Sequence, residues 1–522
     1  MNVSALLAVN GRKYADKPAL IMGGRHVTFS QWNDAANLWA CRLRERGVSQ
    51  GDRVVLLMPN CPEFAIMYMA VMRCGGIVVP INARSAQEEV LYILEHSGAK
   101  GLVVHDMLLP GVRELPAKHP SLVTVKTGGS EPGWIGIEDW QTGDLPEEMK
   151  ALSIDPDLPD AHEDSEASML YTSGTTGRPK GVLFTHRSLL TIANMISIEL
   201  SITHRSRILQ LMPLSHSAPL HLFFIPSIMN GATQVLAPAF SPELLLQLVQ
   251  EQRITHFFGA PVAYLLTMKH PDFHRYDLSS VRYWMYGGAP LSKDMARQME
   301  TYFRREKLAC LYGLTEAGPT GTCLMHGEHP DKAGSVGNRA VLFAEVDVVD
   351  ESGQPVGRGF PGEIRIRGEG AMKGYYNNPE ATAEALREGW VYTGDIGRWD
   401  EDGFLWIIDR KKDVIISGGV NIYPKELEQE LERHPAIQEA AVVGVPHPEW
   451  GETIKAYLVL KPGTDPDQDW VQEVRHFLQG RVADFKLPRL AECLDTLPRN
   501  ASGKILKHFL RELKSRKGAN QP

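Results

Sequence analysis

The sequence predicts an α/β protein in more than one part. A large N-terminal unit on largely parallel sheet leads, an antiparallel sheet or small barrel follows, and an α+β lobe ends the chain. Three observations carry this. The chain has 522 residues, too long for one compact domain at about 100–200 residues each. Strand-like and helix-like stretches alternate through the first half, which implies βαβ units. After residue 339 short alternating segments and Gly/Asp turns take over, and the pattern changes again after residue 411.

In chain order, Phe29 to Gly47 reads as a helix, with Trp32, Ala36, Leu38, Ala40 and Leu43 apolar and arginines toward its end. Residues 53–58, 76–80 and 101–104 read as buried strands, with a helix over Glu88 to His96. The rhythm returns from Ser241. Pro242 and Glu243 open a helix, Thr255 to Phe258 and Tyr283 to Met285 are strands, and Ser292 to Lys307 is an amphipathic helix. Residues 345–350, 363–367 and 405–409 alternate apolar and polar, as antiparallel strands do. In the last lobe, helices are predicted over 423–434 and 470–480, and strands over 440–445 and 456–460.

Composition narrows the class. The hydrophobic fraction is 43% and the charged fraction 23%, ordinary globular usage. The net charge of −8 gives no global basic field for nucleic acid. Cys41, Cys61, Cys74, Cys310, Cys323 and Cys493 form no CxxC pair and no zinc spacing, so reduced thiols in the cytoplasm are expected. No apolar run approaches the ~18 residues of a membrane span. A fatty substrate could still bring the protein to a membrane surface. Residues 481–522 carry ten Lys/Arg against four Asp/Glu, a solvated tail or a surface for a polyanion.

The strongest chemical signal is residues 170–181, LYTSGTTGRPKG. Hydroxyls, glycines and one lysine after an apolar strand offer N–H, O–H and cationic partners to phosphate oxygens. The spacing is not that of GxxxxGK[ST]. Glu316 follows Thr315 just after the apolar run Leu308 to Leu311, and a carboxylate beside a hydroxyl suits Mg²⁺ with a phosphate oxygen. Asp395 is expected in a turn after an apolar strand end, where a carboxylate can accept two ribose hydroxyls. Gly288, Ala289 and Pro290 follow the strand 283–285, and small residues let a flat ring approach the backbone.

Residues 171–181 resemble the phosphate loop of the adenylate-forming superfamily: acyl-CoA synthetases, adenylation domains of peptide synthetases and firefly-type luciferases. Further boxes follow in the family's order and cover essentially the whole chain. They are YGLTE at 312–316, YTGD at 392–395, DRKKD at 409–413, SGGVNI at 417–422 and PRNASGK at 498–504. The resemblance implies a large domain, 1–410, of stacked α/β sheets plus a small distorted β-barrel. It also implies a small mobile C-terminal domain, 411–522, with its hinge at Lys412. The implied chemistry has two halves: a carboxylate attacks the α-phosphorus of ATP to give acyl-AMP and pyrophosphate, then a thiol displaces AMP. ATP, Mg²⁺ and coenzyme A are the implied cofactors.

By the same resemblance, Thr172, Ser173, Gly174, Thr175, Thr176 and Lys180 grip phosphates. Tyr312 lies against the adenine, over a floor of Gly288, Ala289 and Pro290, and Gly313 beside it belongs to the ATP site. Thr315 contacts the α-phosphate and Glu316 holds Mg²⁺. Asp395, backed by Arg410, takes the ribose. Lys504 reaches the α-phosphate and the carboxylate during adenylation. Ser417, Gly418 and Gly419 border the coenzyme A tunnel. His216 and Phe258 border the acyl pocket, and Gly318 leaves room for the acyl group. Fatty acyl members more often have an aromatic where Ser215 stands and a glycine near Pro219, so the loop departs slightly from their pattern.

No Lys or Arg falls within 208–224 or 257–264, and a second substrate carboxylate would need a cation there. An apolar monocarboxylic acid is expected, fatty and medium- or long-chain, with an aromatic acid as the alternative. The pocket wall is expected from Leu214, Leu220, Phe223, Phe257, Phe258, Val262, Met285 and Leu311. Two other outcomes share the adenylate: loading of a separate carrier protein, and luciferase-like oxygenation. A homodimer is the default expectation, and acetylation of Lys504 by a lysine acetyltransferase is expected to remove a required charge.

Overall fold

The computed structural model describes residues 2–140, 162–172, 178–289, 291–499 and 505–513. The chain divides into two compact units, residues 1–346 with 365–392, and residues 347–364 with 393–522. These units are drawn at other residues than the expected domains 1–410 and 411–522.

The first unit holds two large sheets. In the eight-stranded sheet the spatial order is Gly374–Tyr375, Lys180–Thr185, Glu166–Thr172, Ile77–Ile81, Arg53–Leu57, Gly101–Val104, Val123–Lys126 and Ile135–Gly136. The nine-stranded sheet has a parallel centre: Leu308–Tyr312, Tyr283–Gly287, His256–Gly259, Arg207–Gln210, Thr233–Leu236 and Pro18–Met22. Antiparallel strands flank it on both edges. These parallel strands read as near-continuous apolar runs because they are covered on both faces. The predicted helix after Thr28 spans Phe29–Glu45, opened by a reciprocal cap between Thr28 and Gln31. It buries Trp32, Ala36, Trp39 and Leu43 in the main core. Helix Pro62–Arg73 packs there too, and buried Arg73 donates to the Asn33 carbonyl oxygen at 2.8 Å and to Asn33 Oδ1 at 2.6 Å.

A further five-stranded sheet, with strands between residues 344 and 410, forms a half-barrel where a small distorted β-barrel was expected. Strand Trp390–Trp399 in it alternates buried and half-buried residues almost along its whole length. Asp395 therefore lies inside a strand, paired with Arg410, and not in the expected turn. Gly394 does take a positive φ of +68°, with open space beside it, but Gly397 serves packing. A Cβ at Gly397 would stand 2.6 Å from Ile364 Cδ1.

The last lobe is α+β as expected. Strands Ile437–His447 and Gly451–Leu460 form a long antiparallel pair, and helices Pro424–Leu431 and Trp470–Leu478 cover a core of Ile415, Leu427, Val442, Ala456, Trp470 and Val474. The predicted helix 292–307 stops earlier, at Phe303, because Arg304 takes φ +61° and a 3₁₀ turn follows. Among the described residues no helix is long and apolar enough to cross a membrane. All six cysteines are free thiols.

Candidate active site

Four neighbouring parallel strands end on the same side of the nine-stranded sheet. The carboxyl ends of parallel strands are where open α/β sheets bind ligands. The loop after Arg207–Gln210 carries His216. Phe258 closes the end of the next strand, Gly288 and Ala289 follow Tyr283–Gly287, and Gly313 to Glu316 follow Leu308–Tyr312. Sheet order thus gathers segments up to 100 residues apart in sequence, from His216 to Glu316.

Glu316 sits in a single 3₁₀ turn, Thr315–Ala317, at a strand end. Its carbonyl oxygen accepts from Met372 N–H at 2.8 Å. Its side chain receives two hydroxyl donors, both on Oε1: Tyr375 O–H at 2.8 Å and Thr172 O–H at 3.4 Å. The oxygen donors and the single carboxylate fit a Mg²⁺ that arrives with substrate phosphates. Among the described residues no cluster of three His, Cys, Asp or Glu could hold an ion alone. Thr315 Oγ1 shares a 2.9 Å hydrogen bond with Ser217 Oγ, which ties the acyl-side segment to the candidate phosphate contact.

Thr172 and Lys180 are cross-strand partners at the end of the strand pair that flanks the candidate phosphate loop. Ser173, Gly174, Thr175 and Thr176 lie outside the described residues, as do Pro290 and Lys504. The hairpin stem is pinned from behind. Tyr171 O–H meets His96 Nδ1 at 2.8 Å, and Tyr92 donates to the Pro179 carbonyl at 3.0 Å. Burial raises the Tyr171 hydroxyl above its ordinary range and lowers His96, so both stay neutral at pH 7. Lys180 Nζ stands 5.0 Å over the ring of Tyr375.

Gly288 has φ +75° and open space where a side chain would stand, consistent with a backbone floor. The close approach falls one residue earlier, where a Cβ on Gly287 would meet Leu311 O at 2.3 Å. Gly313 is enforced by packing, since its Cβ would lie 2.7 Å from the Pro319 backbone. Buried Tyr312 ends its strand beside it. Gly318 likewise answers to backbone crowding: with φ +71°, its Cβ would stand 2.1 Å from Gly370 O and 2.8 Å from Ile192 Cδ1.

Leu214, Leu220, Phe223, Phe258, Met285 and Leu311 join one core cluster. Phe223 and Phe258 stack at 5.4 Å. Two expected wall residues do not join. Phe257 turns to the other face of its strand against Tyr264 and Trp284, as the two-residue period of a strand requires. Val262 is exposed. His216 precedes the short helix Ser217–Pro219, and burial lowers its pKa, favouring a neutral imidazole. A π-helical turn, Leu220–Phe224, follows, and it buries His221 against the ring of Phe184.

In the second unit, Arg410 Nε binds Asp395 Oδ1 at 2.7 Å, and Asp395 is nearly buried. Lys412 sits in the 3₁₀ turn Lys411–Asp413; its carbonyl accepts from Arg511 at 3.2 Å while Arg511 also binds Asp413 at 2.7 Å. Ser417 pairs with Val420, so Gly418 and Gly419 form a two-residue hairpin loop with φ +58° and +78°. Positive φ at both positions explains both glycines.

Fold and site together define an adenylate-forming enzyme. The model of the AMP-binding enzyme family matches residues 7–376, and that of the AMP-binding enzyme C-terminal domain matches residues 426–504. The chain belongs to this family, that of the AMP-forming acyl- and aryl-CoA ligases. It is 38% identical over 492 residues to the feruloyl-CoA synthase of Amycolatopsis sp, covering 94% of each chain. It is 34% identical over 540 residues to a long-chain-fatty-acid–CoA ligase of Bacillus subtilis (strain 168), covering 98% of this chain and 94% of that one. The crystal structure of ATP-bound MatB from Rhodopseudomonas palustris matches with a TM-score of 0.86 at 30% identity, over 98% of this chain and 99% of that chain.

Proposed function

We propose that the chain converts an apolar monocarboxylic acid, ATP and coenzyme A to the acyl-CoA thioester, AMP and pyrophosphate, with medium- or long-chain fatty acids as its substrates. One observation carries the substrate class. Leu214, Leu220, Phe223, Phe258, Met285 and Leu311 share one buried cluster, and segments 208–224 and 257–264 hold no Lys or Arg. A second carboxylate would be left unpaired there.

In the first half-reaction the substrate carboxylate oxygen attacks the α-phosphorus and pyrophosphate leaves. Lys180, Thr172 and the hydroxyls of Ser173, Thr175 and Thr176 bind the triphosphate. Thr315 donates to the α-phosphate and Lys504 offsets the charge that gathers between carboxylate and phosphate. Tyr312, Gly288 and Ala289 bound the adenine, and Asp395, aligned by Arg410, accepts the ribose hydroxyls. Mg²⁺ bound with ATP supplies charge neutralisation on the phosphate oxygens, and Glu316 is the residue that would hold it. In the second half-reaction the thiol sulfur attacks the acyl carbonyl, AMP leaves, and the thiol proton passes to solvent. Ser417, Gly418 and Gly419 border the path of the thiol, and Lys412 is the hinge between the two steps.

A second reading, an aromatic acid, is supported by the 38% identity to a feruloyl-CoA synthase. The test is a panel of fatty, aromatic and dicarboxylic acids with ATP, Mg²⁺ and coenzyme A, reading thioester and AMP. Turnover of fatty acids supports the first reading and of hydroxycinnamates the second. Turnover of a diacid alone overturns the substrate class. Adenylate that persists until a carrier protein is added, or light emission, would replace the acceptor.

A further inference from the structure

Lys180 and Glu316 carry opposite charges at one site, yet they form no ion pair with each other among the described residues. Tyr375 lies against both. Its hydroxyl donates to Glu316 Oε1 at 2.8 Å, and its ring carries Lys180 Nζ at 5.0 Å. Neither contact uses the tyrosine in a way that neutralises its partner. A hydroxyl donor takes no charge from the carboxylate, whose Oε2 lies outside the contacts made by Tyr375 and Thr172, and a ring face holds an ammonium through its quadrupole while leaving it charged.

The backbone fixes Tyr375 in this position. Gly374 and Tyr375 pair with Leu183 and Val182 on the outer side of the hairpin that Lys180 opens. Met372 N–H, three residues earlier, binds the carbonyl of Glu316 at 2.8 Å. The short segment 372–375 is therefore anchored to the strand that Lys180 opens and to the backbone of Glu316, and its tyrosine contacts both side chains. Tyr375 N–H also donates to Thr382 Oγ1 at 2.9 Å, which closes the far end of the segment.

We propose that Tyr375 is a positioning residue that keeps Lys180 and Glu316 apart and both charged: its ring parks the ammonium and its hydroxyl sets the carboxylate, so that the cation meets phosphate and the anion meets the metal. Without such a spacer, two flexible opposite charges in a half-buried site would pair with each other, and both would have to be separated again before ATP and its metal could bind. The inference rests on the proposed ATP and Mg²⁺ roles of Lys180 and Glu316.

The test separates ring from hydroxyl. Wild type, Tyr375→Phe and Tyr375→Leu are titrated with Mn²⁺ in the presence of a non-hydrolysable ATP analogue, following bound metal by electron paramagnetic resonance. Analogue binding without metal is measured by calorimetry. Tyr375→Phe keeps the ring and loses the donor, so Mn²⁺ binding weakens about tenfold, the size of one hydrogen bond to a charged group, while metal-free analogue binding stays at the wild-type level. Tyr375→Leu frees Lys180 to pair with Glu316, so both affinities fall. Melting curves confirm that each variant is folded, and the isosteric Phe variant retains the packing if the Leu variant does not. Wild-type Mn²⁺ affinity in Tyr375→Phe overturns the role of the hydroxyl. Wild-type metal-free binding in a folded Tyr375→Leu overturns the role of the ring. A wild-type enzyme that binds the analogue with no dependence on Mn²⁺ would instead defeat the underlying assignment of Glu316.

Discussion

In the proposed first half-reaction Glu316 is the side chain that would hold the metal. Replacing it by alanine should slow adenylate formation by roughly 10²-fold or more, since a metal clamp contributes several kcal/mol of charge stabilisation. Single-turnover acyl-AMP formation checks this, and an unchanged rate at saturating Mg²⁺ would remove Glu316 from the metal. The residue was legible because Thr315 and Glu316 stand together after a strand. Tyr375 was not, because it lies 59 residues away and meets Glu316 only through the pairing of Gly374–Tyr375 with the phosphate hairpin. His221 was equally hidden. It is fully buried, and neither ring nitrogen has a hydrogen-bond partner among the described residues. Burial pushes its pKa from 6.5 down to about 3. The folded state thus resists a proton that the unfolded chain accepts. Its stabilising contribution is whole above pH 6.5 and is lost as pH falls from 6.5 toward 3, at about 1.4 kcal/mol per pH unit. His221→Leu should flatten this part of the stability profile, raising stability at pH 5 relative to wild type by about 2 kcal/mol. Denaturant titrations at pH 7 and pH 5 decide it; parallel losses in both proteins would show that His221 is not the titrating group.

The hairpin Ile415–Ser417 to Val420–Ile422 shows what the elements add. Two glycines in SGGVNI read naturally as space for a passing ligand. The backbone gives a local reason as well, because both sit at positive φ with open space beside them. Gly419→Ala should cost about 1 kcal/mol from the left-handed conformation alone, while Gly418→Asn should cost less, since asparagine tolerates that region. Equal losses for the two variants would mean that contacts and not backbone geometry select the glycines. Strands and helices with an uninterrupted period were legible: 101–104 falls where the apolar run lies, and the helix from Phe29 ends within two residues of expectation. Strand Trp390–Trp399 was only half legible. Its glycines imitate a turn, yet one of them makes room for the Ile364 side chain, a neighbour from another strand. Local sequence carries no record of such a tertiary neighbour.

Across the whole molecule, the alternation of strand and helix predicted a parallel sheet, but not its order. Which strands neighbour each other decides that the loops at 211–216, 288–289 and 313–316 share one side of the nine-stranded sheet. That order is set by packing among residues far apart in the chain. The two half-reactions should also separate. Lys504→Ala should abolish acyl-AMP formation, a loss of ~10²–10³ in rate for one pre-placed donor, yet still convert supplied acyl-AMP and coenzyme A to thioester. Lys412→Pro fixes φ near −65° where a hinge must change its angles, and should slow thioester formation more than adenylation. If each variant slowed both steps equally, Lys412 would not be the hinge.

Adenylate formation without coenzyme A is what the proposed chemistry requires before anything else. The measurement is exchange of labelled pyrophosphate into ATP, with Mg²⁺ and a fatty acid present and coenzyme A withheld. Label should enter ATP only when the acid is added, because pyrophosphate must be able to reverse attack of the carboxylate on the α-phosphorus. Absence of acid-dependent exchange with an acid that the enzyme converts to thioester, or release of ADP and phosphate in place of AMP and pyrophosphate, would contradict an acyl-adenylate on the path.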